Sequence, residues 1–322
     1  MNQELPGLDE IRQAAELVYR TMPPTPQYAW PLLGNRAGAE VWVKHENHSP
    51  VGAFKIRGGL VYMDWLRRER PEVNTVVTAT RGNHGQSIAL AAAASGIRAV
   101  IVVPRGNSTE KNRAMQGLGA ELIEEGDDFQ AALEHAQKLE CENGWHWVPS
   151  YHRLLLTGVA TAALEFLSSV PELDTVYVPI GMGSGISAMI AVRNALGLRT
   201  RIVGVISKLA PAFALSVAQG RVVEYPAATR IADGVACRKP PEDAVEIVRA
   251  GADRILEVND DEVEEAMRCY FSDTHNVAEG AGAVGLAGLL QDRPRGGARV
   301  GTVLGGGNVD SDLFAKVLSG AV

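Results

Sequence analysis

The chain has 322 residues, 46% of them hydrophobic and 21% charged, which suits a soluble globular protein of two lobes or one large α/β domain and is too long for a single small core. A net charge of -7, with a pI near 5.6 and no basic patch, argues against nucleic acid or anionic lipid as the main partner. Cys141, Cys237 and Cys269 are scattered without a C-x-x-C spacing, so neither a zinc site nor a disulfide framework is expected. Residues 1–13 carry no apolar signal core, and apolar stretches such as 87–96 are too short to span a bilayer. A cytoplasmic location is the expectation.

Strand-like runs alternate with helix-like runs along nearly the whole length. The strands are predicted at 41–44, 75–80, 98–103, 121–124, 175–179, 201–206, 254–258 and 300–304. Helical stretches are predicted from 58 onward and at 86–94, 128–140, 155–167, 188–196 and 260–270. Several strands are unbroken Val/Ile runs, the pattern of strands buried on both faces of a parallel sheet, and the alternation predicts an α/β fold. Three strand ends are glycine-rich, which points to a small molecule bound at the carboxyl ends of the strands.

Five segments carry the chemistry. In 47–59, Lys55 stands between Phe54 and Ile56 near the start of a helix. A positive helix end and apolar neighbours predict a lowered pKa, which a Schiff-base lysine needs because only the neutral amine attacks an aldehyde. A solvated surface lysine is the alternative on this segment alone. In 78–86, Thr80, Arg81, Gly82, Asn83 and His84 lie between a strand end and a helix start, where they could hold a carboxylate or where Asn83 could be an ordinary N-cap. In 178–185, the turn Gly181, Met182, Gly183, Ser184 offers successive N–H groups to a phosphate, although it completes neither a Walker loop nor G-x-G-x-x-G. Glu279 in 278–283 is a helix-start residue or a functional carboxylate. The fifth segment, Gly305, Gly306, Gly307, Asn308, Val309, Asp310, is again strand, turn, helix.

In this order and spacing the five segments resemble the fold-type II pyridoxal-phosphate (PLP) enzymes, and most of all the threonine/serine dehydratase and serine racemase group. The resemblance runs from about Thr25 to the C-terminus. It implies a two-lobed α/β fold like the tryptophan synthase β subunit, with mostly parallel sheets flanked by helices. Residues 1–46 and 149–322 would form a large PLP-binding domain and 47–148 a small one. It implies that Lys55 carries the cofactor and later moves the Cα proton, that Phe54 packs on the cofactor ring, and that Asn83 bonds its phenolic oxygen. Gly181, Met182, Gly183 and Ser184 would hold the phosphate, and Gly234, Glu279 and Gly305 would line the cofactor. Thr80, Arg81, Gly82, Asn83 and His84 would hold the substrate carboxylate. The implied activity removes water and then ammonia from a β-hydroxy amino acid, leaving a 2-oxo acid, in a homodimer or homotetramer.

Four departures from the family pattern sharpen this. Arg81 stands where the racemases have a serine, and an arginine is a poor proton donor and acceptor, so racemisation is disfavoured. Gly305 stands where a serine usually faces the ring nitrogen; water or Thr302 could take its place. The stretch 206–212 has no carboxylate for a hard cation, so no metal is expected. The chain ends about a dozen residues after Asn308, so no regulatory domain is expected. Trp147, Val148, Pro149 and Tyr151 would either face the β-substituent, which suits threonine or a larger substrate such as phenylserine, or equally pack in the core. Arg81 or Arg153 could instead pair with a second carboxylate, as in a 3-hydroxyaspartate ammonia-lyase. A nicotinamide oxidoreductase lacks its fingerprint here, and a non-catalytic binding protein would not need Lys55.

Overall fold

A computed structural model describes residues 5–170 and 172–321. Ten strands form two sheets among the described residues: β1 (Gln27–Ala29), β2 (Glu40–His45), β3 (Thr75–Ala79), β4 (Arg98–Val103), β5 (Glu121–Glu124), β6 (His146–Trp147), β7 (Thr175–Pro179), β8 (Arg201–Ser207), β9 (Arg254–Val258) and β10 (Arg299–Leu304). The helices are α1 (Leu8–Val18), α2 (Pro31–Ala37), α3 (Lys55–Glu69), α4 (Asn83–Ala94), α5 (Thr109–Gly117), α6 (Phe129–Asn143), α7 (Arg153–Ser169), α8 (Ser184–Ala195), α9 (Ala212–Gln219), α10 (Glu242–Gly251), α11 (Asp260–Thr274), α12 (Gly280–Asp292) and α13 (Ser311–Ser319). The larger sheet has the order β1-β2-β10-β7-β8-β9 and the smaller β5-β4-β3-β6. Every pairing is parallel except β1 with β2. The fold is therefore the mostly parallel α/β architecture expected.

The inner strands are the Val/Ile runs. Val76 and Val77 of β3 and Val100, Ile101, Val102 and Val103 of β4 are fully buried, because helices cover both faces of the sheet. The expectation missed β1 and β6, which are three and two residues long and too short to show a period. It also started α3, α4 and α8 three or four residues late. The first turns of α4 and α8 are rich in Gly, Ser and Asn, residues that read as loop.

Helix α3, which begins at Lys55, is fixed against α7 by two glycines. A Cβ on Gly58 would sit 2.6 Å from the Leu155 carbonyl oxygen, and one on Gly158 would sit 2.2 Å from that of Arg57. The backbones of the two helices therefore touch. Beside the crossing lies a closed ion cluster. Arg57 donates to Glu46 (2.7 and 3.0 Å) and to Glu165 (2.6 and 2.9 Å). Lys44 donates to Glu165 at 2.5 Å and to the Thr25 carbonyl at 2.6 Å. Thr25 and Tyr19 add hydroxyl bonds to Glu46 and Glu165. Two cations thus face two anions, all of them buried.

Removing one partner of such a cluster leaves an uncompensated buried charge. Arg57→Met is expected to cost about 3–5 kcal/mol of unfolding free energy. By contrast, Arg98→Met, which breaks an exposed pair with Glu121, is expected to cost at most about 1 kcal/mol. Urea denaturation of the two variants measures the difference.

Candidate active site

The strand ends of the two sheets bring four of the five segments together. Lys55 is the first residue of α3 and Phe54 its N-cap. The Lys55 amine lies 5.2 Å from the centre of the Phe54 ring and has no hydrogen-bond or ion-pair partner among the described residues. The Phe54 N–H donates to the Gly305 carbonyl (3.0 Å), and a Cβ on Gly305 would lie 3.3 Å from the Phe54 ring. Ala53 and Gly306 form an isolated bridge. The lysine segment is in this way tied to the end of β10.

Asn83 is not the N-cap of α4. Gly82 holds that position and makes no side-chain cap, so the Asn83 amide is free for other work. Its Nδ2 donates to Glu279 Oε1 (2.5 Å), and its Oδ1 accepts from Asn308 Nδ2 (2.8 Å). Glu279 is the N-cap of α12 and is buried at 4% exposure. Gly306 lets this contact form, since a Cβ there would be 2.3 Å from Glu279 Oε1. Thr80 and His84 are buried, while Arg81 is exposed and makes no hydrogen bond or ion pair with the described residues. The Gly82 N–H donates to Thr80 Oγ1 (3.0 Å). His84 Nε2 is buried without a partner.

The turn Gly181–Ser184 opens α8. Gly183 has φ 95°, a conformation that favours glycine, and a Cβ there would also meet Ala244 Cβ at 2.8 Å. Gly234 stacks on this turn, its carbonyl oxygen being the atom a Cβ on Gly181 would meet at 2.7 Å. Met182 Sδ lies 3.6 Å from Cys237 Sγ.

The electrostatics follow from burial. Burial pulls Lys55 down to about 8, opposed by the Glu279 charge. Burial, aided by the Lys55 charge, pulls His84 down to about 3. Burial pushes Glu279 up to about 7, against the pull of Lys111. A neutral amine is therefore accessible near neutral pH at the N-terminus of one helix, while the N-terminal turn of another is linked through Gly234 to Ala281 near Glu279. These residues fit a phosphorylated aldehyde, because the amine suits the carbonyl and the open N–H groups of the Gly183 turn suit the phosphate. Among the described residues no group of three or more His, Cys, Asp or Glu could hold a metal ion.

Other expected residues lie elsewhere. Arg153 pairs with Glu10 at 2.5 and 2.8 Å. Thr302 donates its hydroxyl to the Tyr177 carbonyl (3.1 Å). Val148 is in the core, and Trp147 packs with Ala132 and Ala136 of α6 and borders a surface cavity with Tyr62, Arg70 and Trp145. Of that proposed wall, Tyr151 packs in the same cluster as Phe54. The sequence reading missed Lys111 and Asp233. Lys111 sits in a polar helix start capped by Ser108 that looks like any surface helix. Its Nζ nonetheless reaches Asp233 Oδ2 at 2.9 Å and Glu279 Oε2 at 4.0 Å.

Half-buried Lys55 should leave a signature in stability. The unfolded side chain titrates at its ordinary 10.5 and the folded one at about 8, so between those values the unfolded chain binds more protons. Cofactor-free protein should therefore gain stability as pH rises from 8 to 10.5, and at pH 7 the charged amine costs up to about 3 kcal/mol. Glu279, with its raised pKa, acts in the opposite direction and below pH 7; Lys44, Cys237 and Cys269 are also shifted within or across the upper window, so the Lys55 share is read as the difference between the parent and Lys55→Met. Lys55→Met is expected to be more stable than the parent at pH 7 by roughly 2 kcal/mol, with the rise above pH 8 flattened. Urea midpoints at pH 7 and 10 measure both.

Comparisons with known proteins agree with this chemistry. Residues 18–306 match the family described as pyridoxal-phosphate dependent enzyme. The chain is 32% identical over 313 residues to an L-threonine ammonia-lyase of Thermotoga maritima, covering 97% of this chain and 78% of that one. It is 31% identical over 318 residues to the L-threo-3-hydroxyaspartate ammonia-lyase of Saccharomyces cerevisiae, covering 98% and 97%. The solved structure of maize serine racemase superposes with a TM-score of 0.90 at 28% identity, covering 98% of each chain. The chain spans 58% of the length of the biosynthetic L-threonine dehydratases of Escherichia coli and Salmonella typhimurium that it matches. With a half-buried lysine, unpartnered among the described residues, a glycine-rich turn at a helix start and these relatives, the chain belongs to the pyridoxal-phosphate-dependent enzymes, in the fold-type II group that contains the threonine/serine dehydratases.

Proposed function

We propose that this protein is a dehydratase that converts a β-hydroxy amino acid to a 2-oxo acid and ammonia. L-threonine, L-serine or a bulkier analogue such as phenylserine is the substrate. The observation that carries the reading is the half-buried Lys55 amine, unpaired among the described residues and lowered to about 8, near enough to Glu279, the partner of Asn83, to feel its charge. Pyridoxal phosphate, when bound, supplies the electron sink for the Cα carbanion.

The chain's own residues do the rest. Lys55 carries the cofactor and, once freed by the substrate amine, takes the proton from Cα, a task suited to an amine with a pKa near neutrality. Phe54 packs beside it. The Gly181, Met182, Gly183, Ser184 turn holds the phosphate with backbone N–H groups, and Gly234 closes over that turn. Asn83, held by Glu279 and Asn308, orients the ring. Thr80, Gly82 and His84 at the start of α4 hold the substrate carboxylate. Gly305 offers the ring nitrogen no side chain, and the Thr302 hydroxyl is committed to Tyr177. The weaker electron sink that results favours elimination over racemisation. The functional lobes in this reading are 47–148 and the remainder, 1–46 with 149–322. The enzyme works in the cytoplasm as a homodimer or homotetramer.

A second reading, 3-hydroxyaspartate as substrate, is favoured by one observation: Arg81 is an exposed cation, unpaired among the described residues, beside the carboxylate-binding loop. Arg153 has no such claim because Glu10 engages it.

Lys55→Ala is expected to lower turnover at least 1,000-fold, on the order of what loss of a nucleophile or general base costs. Borohydride reduction followed by mass spectrometry should place the cofactor mass on the Lys55 peptide of the parent only. Threonine, serine, phenylserine and 3-hydroxyaspartate are then assayed for 2-oxo acid and ammonia. Arg81→Ala should raise KM for 3-hydroxyaspartate selectively if the second reading holds. Failure of all four substrates would remove the dehydratase assignment.

A further inference from the structure

Lys111 lies in the first turn of α5, on the smaller-sheet side of the cleft, yet its side chain is only 12% exposed. Two contacts dock that turn on the start of α13. Ser108 donates its hydroxyl to Asp310, and the Ser311 N–H and hydroxyl donate to Glu110 at 3.0 and 2.7 Å. The aliphatic stem of Lys111 then runs over Gly82, where a Cβ would come within 2.7 Å of Lys111 Cδ. Its ammonium ends 2.9 Å from Asp233 and 4.0 Å from Glu279. Two carboxylates from two further elements therefore share one cation, next to the Asn83 amide that Glu279 accepts from.

We propose that Lys111 is a positioning residue: by sharing its ammonium between Asp233 and Glu279 it favours the ionised, purely accepting form of Glu279, and that acceptor fixes the amide orientation of Asn83. An ionised carboxylate can only accept, whereas a protonated one can also donate. With Glu279 ionised, Asn83 must present Nδ2 to it and Oδ1 to Asn308, as observed. With Glu279 protonated, its O–H can serve Asn83 Oδ1 and the amide is free to turn over. The charged groups facing Glu279 are Lys111 from α5, Asp233 from the 234 turn and Lys55 from α3, and Asp310 faces Lys111 in turn. Burial works against both charges. It pushes Glu279 up to about 7, and it would lower Lys111, but the two carboxylates hold that ammonium above its ordinary value. Lys111 opposes that rise, so that Glu279 is ionised above about pH 7 rather than only at a higher pH.

The role of Asn83 toward the cofactor rests on the function proposed above, but the electrostatic claim is tested apart from it. Carboxyl-labelled glutamate is introduced into the full chain, and the Glu279 resonance, assigned by its loss in Glu279→Gln, is followed by NMR against pH. The measurement is made as purified and again without cofactor. Lys111→Met is expected to move the midpoint up by about one pH unit, as loss of a close opposite charge does. Asp233→Asn is expected to move it down, and Lys111→Arg to restore it. The acid limb of kcat/KM for threonine should shift with the midpoint. An unmoved midpoint in Lys111→Met overturns the proposal, and so does an unmoved or upward one in Asp233→Asn, which serves if the lysine variant does not fold. If the parent turns over no substrate while the midpoints move as stated, the functional reading falls and the positioning role stands.

Discussion

Partial desolvation of an amine with nothing to bond to is an expensive arrangement, and the site is organised around Lys55 in that condition. A buried lysine ordinarily finds a carboxylate or gives up its proton. Here the nearest anion, Glu279, acts at a distance and is itself weakened by burial. The free energy stored in the unsatisfied amine is the part of the fold that a bound aldehyde can recover. This is the sense in which the site is strained for function, and the strain is electrostatic rather than conformational.

The remainder of the molecule holds that amine still. Ser87 of α4 donates to the Lys55 carbonyl at 2.7 Å, α7 touches α3 through paired glycines, and the Arg57 cluster locks the second residue beyond Lys55 to Glu46, just after β2, and to Glu165 of α7. Cluster and site use opposite devices. Arg57 is fully buried with every charge matched, whereas Lys55 is half-buried with its charge unmatched. The first gives rigidity, and the second depends on it, because a mobile helix start would let the amine reach water and regain its ordinary pKa.

Much of this was legible in the residues. Val/Ile runs marked β3, β4, β7 and β8, since strands buried on both faces need them, and the glycine-rich strand ends marked the cleft. Four of the five segments, those of Lys55, Asn83, Glu279 and Gly305, make direct contacts with one another. What the residues did not disclose were contacts decided by tertiary packing. The three-residue β1 and two-residue β6 have no period to read. Trp147 and Val148 look like a substrate wall by position, but β6 is an edge strand, so alternate side chains turn to α6 and to the core. Arg153 finds a partner 143 positions away in Glu10. Lys111 looked like a surface lysine because its helix start is polar, and only the docking of that helix on α13 carries it inward.

The central claim is a titration at one atom. Protein prepared with lysine labelled at Cε, freed of cofactor, can be followed by NMR from pH 6 to 11, with the resonance of interest identified by its absence from Lys55→Arg. The account predicts that this carbon titrates with a midpoint of about 8. A midpoint at the ordinary lysine value of 10.5 would mean a solvated or ion-paired amine and would contradict it.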